Sequence, residues 1–180
     1  MRERRGAETI AESSGPIDHQ GGRDLLFPLD GVDLRARLLD RKGLELWIPH
    51  RGEMLLLDGV VWVNPERTCA VGVRSTGENE FWTAGHFPGR PVFPGVLMVE
   101  AAAQLSLYLF NTRIGSSQMP AFLRIEDCTF RNAVTCGDEF ILLCREVKIG
   151  RRRFVTDVQG VVEDRIAFQA RLTGMSLGNA

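Results

Sequence analysis

From Pro94 to Phe110 runs the most apolar stretch of the sequence, 17 residues that carry Glu100 and Gln104 and have no helix breaker from Val96 onward. Proline suits the first turn of a helix, so Pro94-Gly95 reads as its start, and 1.5 Å per residue makes it about 25 Å long, the width of a small domain. The run falls short of the roughly 20 apolar residues that span a bilayer and contains an ionisable group, so it reads as a buried helix. A helix of that kind needs a wrapping, and the chain provides strands on both sides of it. Segments 122–131, 139–148, 154–162 and 166–177 read as strands, with turns at Gly150 and at Glu163-Asp164. In the last of them Ile166, Phe168, Ala170 and Leu172 share one face. Their links are too short for crossovers, so the pairing is expected to be mostly antiparallel. Upstream, 44–48 and 54–63 read as strands, the second forming a hairpin with 68–74 across Asn64-Pro65-Glu66, while 32–39 reads as a short helix. The class expected is α+β, a single domain over 24–180 in which a mostly antiparallel sheet wraps one long central helix.

Charge and cysteine usage exclude several functions. The 180 residues hold 22 basic and 23 acidic side chains, a net charge of -1, so no global field draws the protein to nucleic acid or to an anionic membrane. Cys69, Cys128, Cys136 and Cys144 lie eight or more residues apart with no Cys-x-x-Cys pair, and with only three histidines they make no zinc pattern. A chain of this size needs no disulfide staples, which suits a reducing cytoplasm. Residues 1–23 hold few apolar side chains and two Gly breaks, and Met-Arg-Glu-Arg-Arg is not followed by an apolar core, so they read as a disordered tail and not a secretory signal.

Chemistry concentrates in one place. His86 stands in the Gly/Pro-rich loop 77–94, and Glu100 follows fourteen residues later in a helix that otherwise offers Val, Leu, Met and Ala around it. A glutamate is almost never fully buried without a partner. On the residues alone two readings stay open. Glu100 meets an arginine or solvent at a subunit boundary while His86 caps a loop, or the two form a general acid–base pair.

The stretch from His86 to Gln104, together with Pro49-His50-Arg51, Leu55-Leu56-Leu57-Asp58, Phe130-Arg131 and Cys136-Gly137-Asp138, resembles the β-hydroxyacyl-acyl carrier protein dehydratases of the FabZ type over about residues 44–175. The resemblance implies the hot dog fold and makes His86 and Glu100 the catalytic pair. Dehydration of a β-hydroxyacyl thioester needs a base for a weakly acidic α-proton, which imidazole can supply near neutrality. It also needs an acid for the departing hydroxyl, expected to be Glu100 with its pKa raised in an apolar pocket. The thioester oxygen is expected to meet the Gly95 amide at the helix start, with that of Phe87 as a second donor. Arg90 is expected to bind the phosphopantetheine phosphate, with Pro94 and Val96 beside it on the substrate or carrier. The resemblance further implies acyl carrier protein as partner, a homodimer or a larger oligomer of dimers, and no metal or redox cofactor, since phosphopantetheine arrives on the substrate. Alternatives are a hot dog hydratase or thioesterase acting on coenzyme A esters, and a non-catalytic carrier-binding subunit.

Two motifs depart from that family. Pro49-His50-Arg51-Gly52-Glu53-Met54 stands in place of Pro-His-Arg-Tyr-Pro-Phe, and Pro120-Ala121-Phe122 occupies the region of a gating tyrosine. His50 reads as a histidine hydrogen-bonded at the start of a strand and not as catalytic. Leu97, Leu105, Leu107 and Phe110 read as core and dimer contacts before tunnel walls, Lys148 with Arg151, Arg152 and Arg153 as a solvated hairpin tip, and Cys128, Cys136 and Cys144 as packing residues.

Overall fold

The computed structural model describes residues 25–180, so the tail expected over 1–23 lies outside the described residues. Its strands are β1 (Leu39–Asp40), β2 (Gly59–Val63), β3 (Cys69–Ser75), β4 (Gln118–Phe130), β5 (Glu139–Ile149), β6 (Arg153–Val162) and β7 (Arg165–Asn179); its helices are α1 (Arg41–Leu44) and α2 (Gly95–Ile114). The seven strands form one antiparallel sheet in the order β1-β2-β3-β5-β6-β7-β4. The long helix starts after Pro94 as expected and runs 20 residues, about 30 Å, to Gly115. Gly115 stops it at φ 79°, a left-handed conformation that costs glycine little, and its N–H closes on the Asn111 carbonyl at 2.9 Å.

The sheet curls around α2. Ala101, Ala102, Leu105, Leu109 and Phe110 of the helix are buried with Phe140, Leu142, Phe168 and Ala170 from the sheet. Small side chains on the helix let its axis approach the strands; on β7, Phe168, Ala170 and Leu172 join the core as alternation marks out, but Ala167 does so in place of Ile166, next to a register shift at Gly160/Val161. The strand order departs from simple succession: β4 follows the helix yet pairs with β7 at the far edge, and 131–138 carries the chain back to β5 beside β3.

Two expected elements are replaced. Residues 32–39 form no helix, because Phe27, Leu29, Val32 and Leu34 lie along the outer face of the sheet on Val61, Val71 and Val73. That strap is tied down where Gln159 Oε1 accepts from the Leu26 N–H at 2.7 Å and the Leu26 carbonyl accepts from Arg145 at 3.0 Å. Residues 44–48 form no strand. Asp40 caps α1 by accepting from the Gly43 N–H at 2.8 Å, and the turn continues through Ile48, so that Leu44 and Ile48, four apart, both reach the core. Cys128 is exposed on β4 and is not the packing residue expected, whereas Cys144 is fully buried. Burial pushes the Cys144 thiol up to about 12, against weaker hydrogen bonds that lower it. Only the thiolate alkylates, so iodoacetamide at about pH 9 should leave Cys144 unmodified in the folded protein and label it in denaturant, as read by mass spectrometry. Labelling of native Cys144 would show that the sheet opens.

Candidate active site

The loop before α2 is anchored from below. Arg74, buried on β3, pairs with Glu80, donates to the Leu56 carbonyl at 2.7 Å and lies 5.0 Å from the centre of the Phe93 ring. Glu80 in turn accepts from the Gly77 N–H at 2.7 Å and from the Trp82 indole at 2.9 Å. From that base the chain enters a tight hairpin. The His86 N–H donates to Trp82, the Val92 N–H donates back to His86 at 2.8 Å, and Phe87 and Arg90 exchange backbone bonds across Pro88-Gly89. Proline followed by a glycine at φ 74° is the sequence a type II turn requires. The His86 ring stacks on Phe87 at 4.1 Å and places Nδ1 2.7 Å from the Val92 carbonyl. A carbonyl only accepts, so Nδ1 carries a hydrogen; in the neutral ring Nε2 then holds the lone pair, the form a general base needs.

Glu100 lies in the second turn of α2 on the wall of a cavity of about 190 Å³. Ala103 and Leu107 continue that wall along the helix, Pro120, Ala121 and Phe122 come from β4, and Phe154 is packed against Phe110 at 4.7 Å. The expected gate region therefore lines the cavity, and Leu107 serves both the core and the cavity wall. One carboxylate oxygen is fully engaged: Oε1 accepts from Gln104 Nε2 at 2.9 Å and sits 3.3 Å from His50 Nε2. Gln104 also bonds the Met54 carbonyl at 2.7 Å and the Leu56 N–H at 2.9 Å, which locks the carboxylate to the segment after Pro49-His50-Arg51. Burial pushes the Glu100 carboxyl up, but the hydrogen bonds of His50 and Gln104 and the His50 charge outweigh it, so the carboxyl sits below the usual carboxylate range. This corrects the expectation of a raised pKa, which counted the apolar neighbours in sequence and not the two polar ones brought by the fold.

His86 is not among the residues that line the Glu100 cavity. Gly95 opens α2, where backbone N–H groups lack intrahelical partners, and the Phe130 ring covers it so closely that a Cβ there would lie 2.8 Å from the ring. The Phe87 N–H is occupied by the Arg90 carbonyl at 3.2 Å, so of the two expected amide donors only Gly95 has no such bond. Arg90 is exposed at the hairpin tip, Pro94 is buried and Val96 is 74% exposed beside Glu100's helix turn. Sequence reasoning passes over Gln104, whose available signal is its spacing from Glu100, four apart on one helix face.

Comparison with known proteins places these features in a wider group. Residues 48–171 match the family described as FabA-like domain. A 3-hydroxyacyl-[acyl-carrier-protein] dehydratase FabZ of Rickettsia africae is 37% identical over 133 residues, 72% of this chain and 90% of that protein. One of the same description from Paramagnetospirillum magneticum is 38% identical over 115 residues, 62% of this chain and 70% of that protein. Among solved structures, the dehydratase heterocomplex ApeI:P of Xenorhabdus doucetiae aligns with TM-score 0.66 at 14% identity, over 78% of this chain and 92% of that one. A hypothetical thioesterase protein with coenzyme A from Streptococcus pneumoniae aligns with TM-score 0.51 at 15% identity, covering 67% and 85%. At those identities the structures report the fold, a hot dog: one long helix wrapped by an antiparallel sheet.

Proposed function

The chain belongs to the FabA-like domain family, and from that premise we propose a (3R)-3-hydroxyacyl-acyl carrier protein dehydratase of fatty acid biosynthesis, with His86 and Glu100 as its catalytic pair. The observation that carries the reading is Glu100, held by one oxygen on the wall of a largely apolar cavity, with the other oxygen left for a ligand. His86 Nε2 takes the α-proton of the thioester, the Gly95 N–H meets the charge that develops on the thioester oxygen, and Glu100 protonates the β-hydroxyl as it leaves. Eliminating water changes no net oxidation state, so the reaction calls for no redox cofactor, and the phosphopantetheine arm belongs to the substrate. The free thiols suit the reducing cytoplasm expected from the sequence, and among the described residues no helix is long and apolar enough to cross a membrane.

The partner chain is a second copy. Edge strand β4 presents Phe122, Leu123 and Ile125 at 43–49% exposure, an apolar edge of the kind that pairs with another strand. The family resemblance implies that pairing of this kind sets His86 of one copy against Glu100 of the other, giving a homodimer with two shared sites.

The decisive assay follows enoyl absorbance with 3-hydroxyacyl and saturated acyl thioesters side by side. Enoyl product from the first and no free thiol from the second is the expected result; thiol release from the saturated ester would assign a thioesterase instead. Acyl carrier protein is acidic, so Arg90→Ala should raise KM for carrier-bound substrate more than for a short pantetheine mimic. Equal changes on both would make Arg90 a structural residue of the hairpin.

A further inference from the structure

Glu100 must give a proton to the departing hydroxyl, and among the described residues one titratable side chain touches it. His50 Nε2 stands 3.3 Å from Glu100 Oε1, on the wall of the same cavity. A carboxylate only accepts, so a proton passed between the two starts on Nε2. The ring is held in place by its own turn: the Arg51 guanidinium bridges the carbonyls of Glu45, Ile48 and His50 at 2.7–2.8 Å, and His50 Nδ1 is buried with no hydrogen-bond partner. The charged groups facing this imidazole are few. Glu100 comes from α2; Arg51, next in the chain, is committed to those carbonyls and to Glu45; Glu53 lines a different cavity.

We propose that His50 is the proton source of Glu100, a positioning residue that acts through the carboxylate and makes it an acid on demand. Before elimination His50 is imidazolium and Glu100 is carboxylate. His50 Nε2 passes its proton to Glu100. The α-carbon loses its proton to His86 Nε2, that C–H pair becomes the new double bond, and the β-carbon to oxygen bond breaks with its pair on oxygen. The leaving oxygen takes the proton from Glu100 and departs as water. Glu100 is again carboxylate, His50 is neutral and His86 is imidazolium, so charge is unchanged; His86 then releases a proton to solvent and His50 recovers one. The held-down carboxyl of Glu100 agrees with this order, since an unaided acid would have to rest protonated.

The proposal rests on the dehydratase reading, and the test separates the two. Steady-state dehydration is measured across pH for wild type, His50→Gln and His50→Ala, with thermal melting to confirm folding. Wild-type kcat should fall toward high pH, an alkaline limb where the proposed donor has no proton to pass on. His50→Gln, which keeps a hydrogen-bond donor but no transferable proton, should lose about 10²-fold in kcat with KM nearly unchanged, and should lose the falling alkaline limb. Added imidazole should restore part of the activity of His50→Ala, more at low pH where it is imidazolium. If neither variant folds, nitrogen-labelled histidine spectra of the wild-type protein decide: His50 must titrate together with the alkaline limb. A His50→Gln enzyme that keeps both its kcat and its alkaline limb, or a His50 titration away from that limb, overturns the proposal alone. A wild-type protein that forms no enoyl thioester overturns the dehydratase reading and this proposal with it.

Discussion

Mixing His86→Ala chains with Glu100→Ala chains should return activity to about a quarter of the wild-type value, although each variant alone should lose at least about 10²-fold. The starting point is the cavity beside Glu100. Glu100 lines it, His86 does not, and Val96 at the start of α2 is 74% exposed. If two copies join along β4, each site takes its histidine from one chain and its carboxylate from the other. Random exchange makes about half the dimers mixed, and a mixed dimer holds one site with both residues and one with neither. Half of the dimers with half of their sites is a quarter. The measurement is enoyl formation after the two variants are unfolded together and refolded, with mixed dimers verified by differential tags. Verified mixed dimers that stay at the background of the single variants would place both residues of a site in one chain. Recovery well above a quarter would mean that one of the two is dispensable.

Arg74→Met should cost about 3–5 kcal/mol of stability, because it strands the Glu80 carboxylate in a pocket built around a guanidinium. Arg74 and Glu80 are largely buried, and Glu80 also organises the Gly77 N–H and the Trp82 indole. For a chain of this length that loss lowers Tm on the order of 10 °C. The methionine still covers Phe93, so the loss reports the charge and not the stem. The Arg74→Met, Glu80→Met double variant should recover part of the stability, since a buried pair removed together leaves no isolated charge. A single variant within about 1 kcal/mol of wild type by denaturant unfolding would show that water reaches Glu80. The consequence reaches the site, because the His86 N–H is bonded to the Trp82 carbonyl that this pair supports.

The sequence alone determined the long helix, its start at Pro94, four of the strands to within a few residues, and the His86–Glu100 motif. Those are local properties: an unbroken apolar run, period-two alternation, and turn residues act over a few neighbours and need no knowledge of the rest of the chain. Residues 32–39 and 44–48 escape a local reading for the converse reason. Leu44 and Ile48 suit a strand or a helical turn equally in isolation, and Val32 and Leu34 were assigned by what they cover on the outer sheet face. Tertiary structure alone decided that β4 returns to the far edge beside β7, that the Phe87 N–H is spent within its hairpin, and that the Glu100 carboxyl is pulled down and not up. The last depends on His50, fifty residues away in the chain, and on Gln104 being fixed by Met54 and Leu56. A pKa follows the groups within a few ångströms in space, and only the folded chain says which those are.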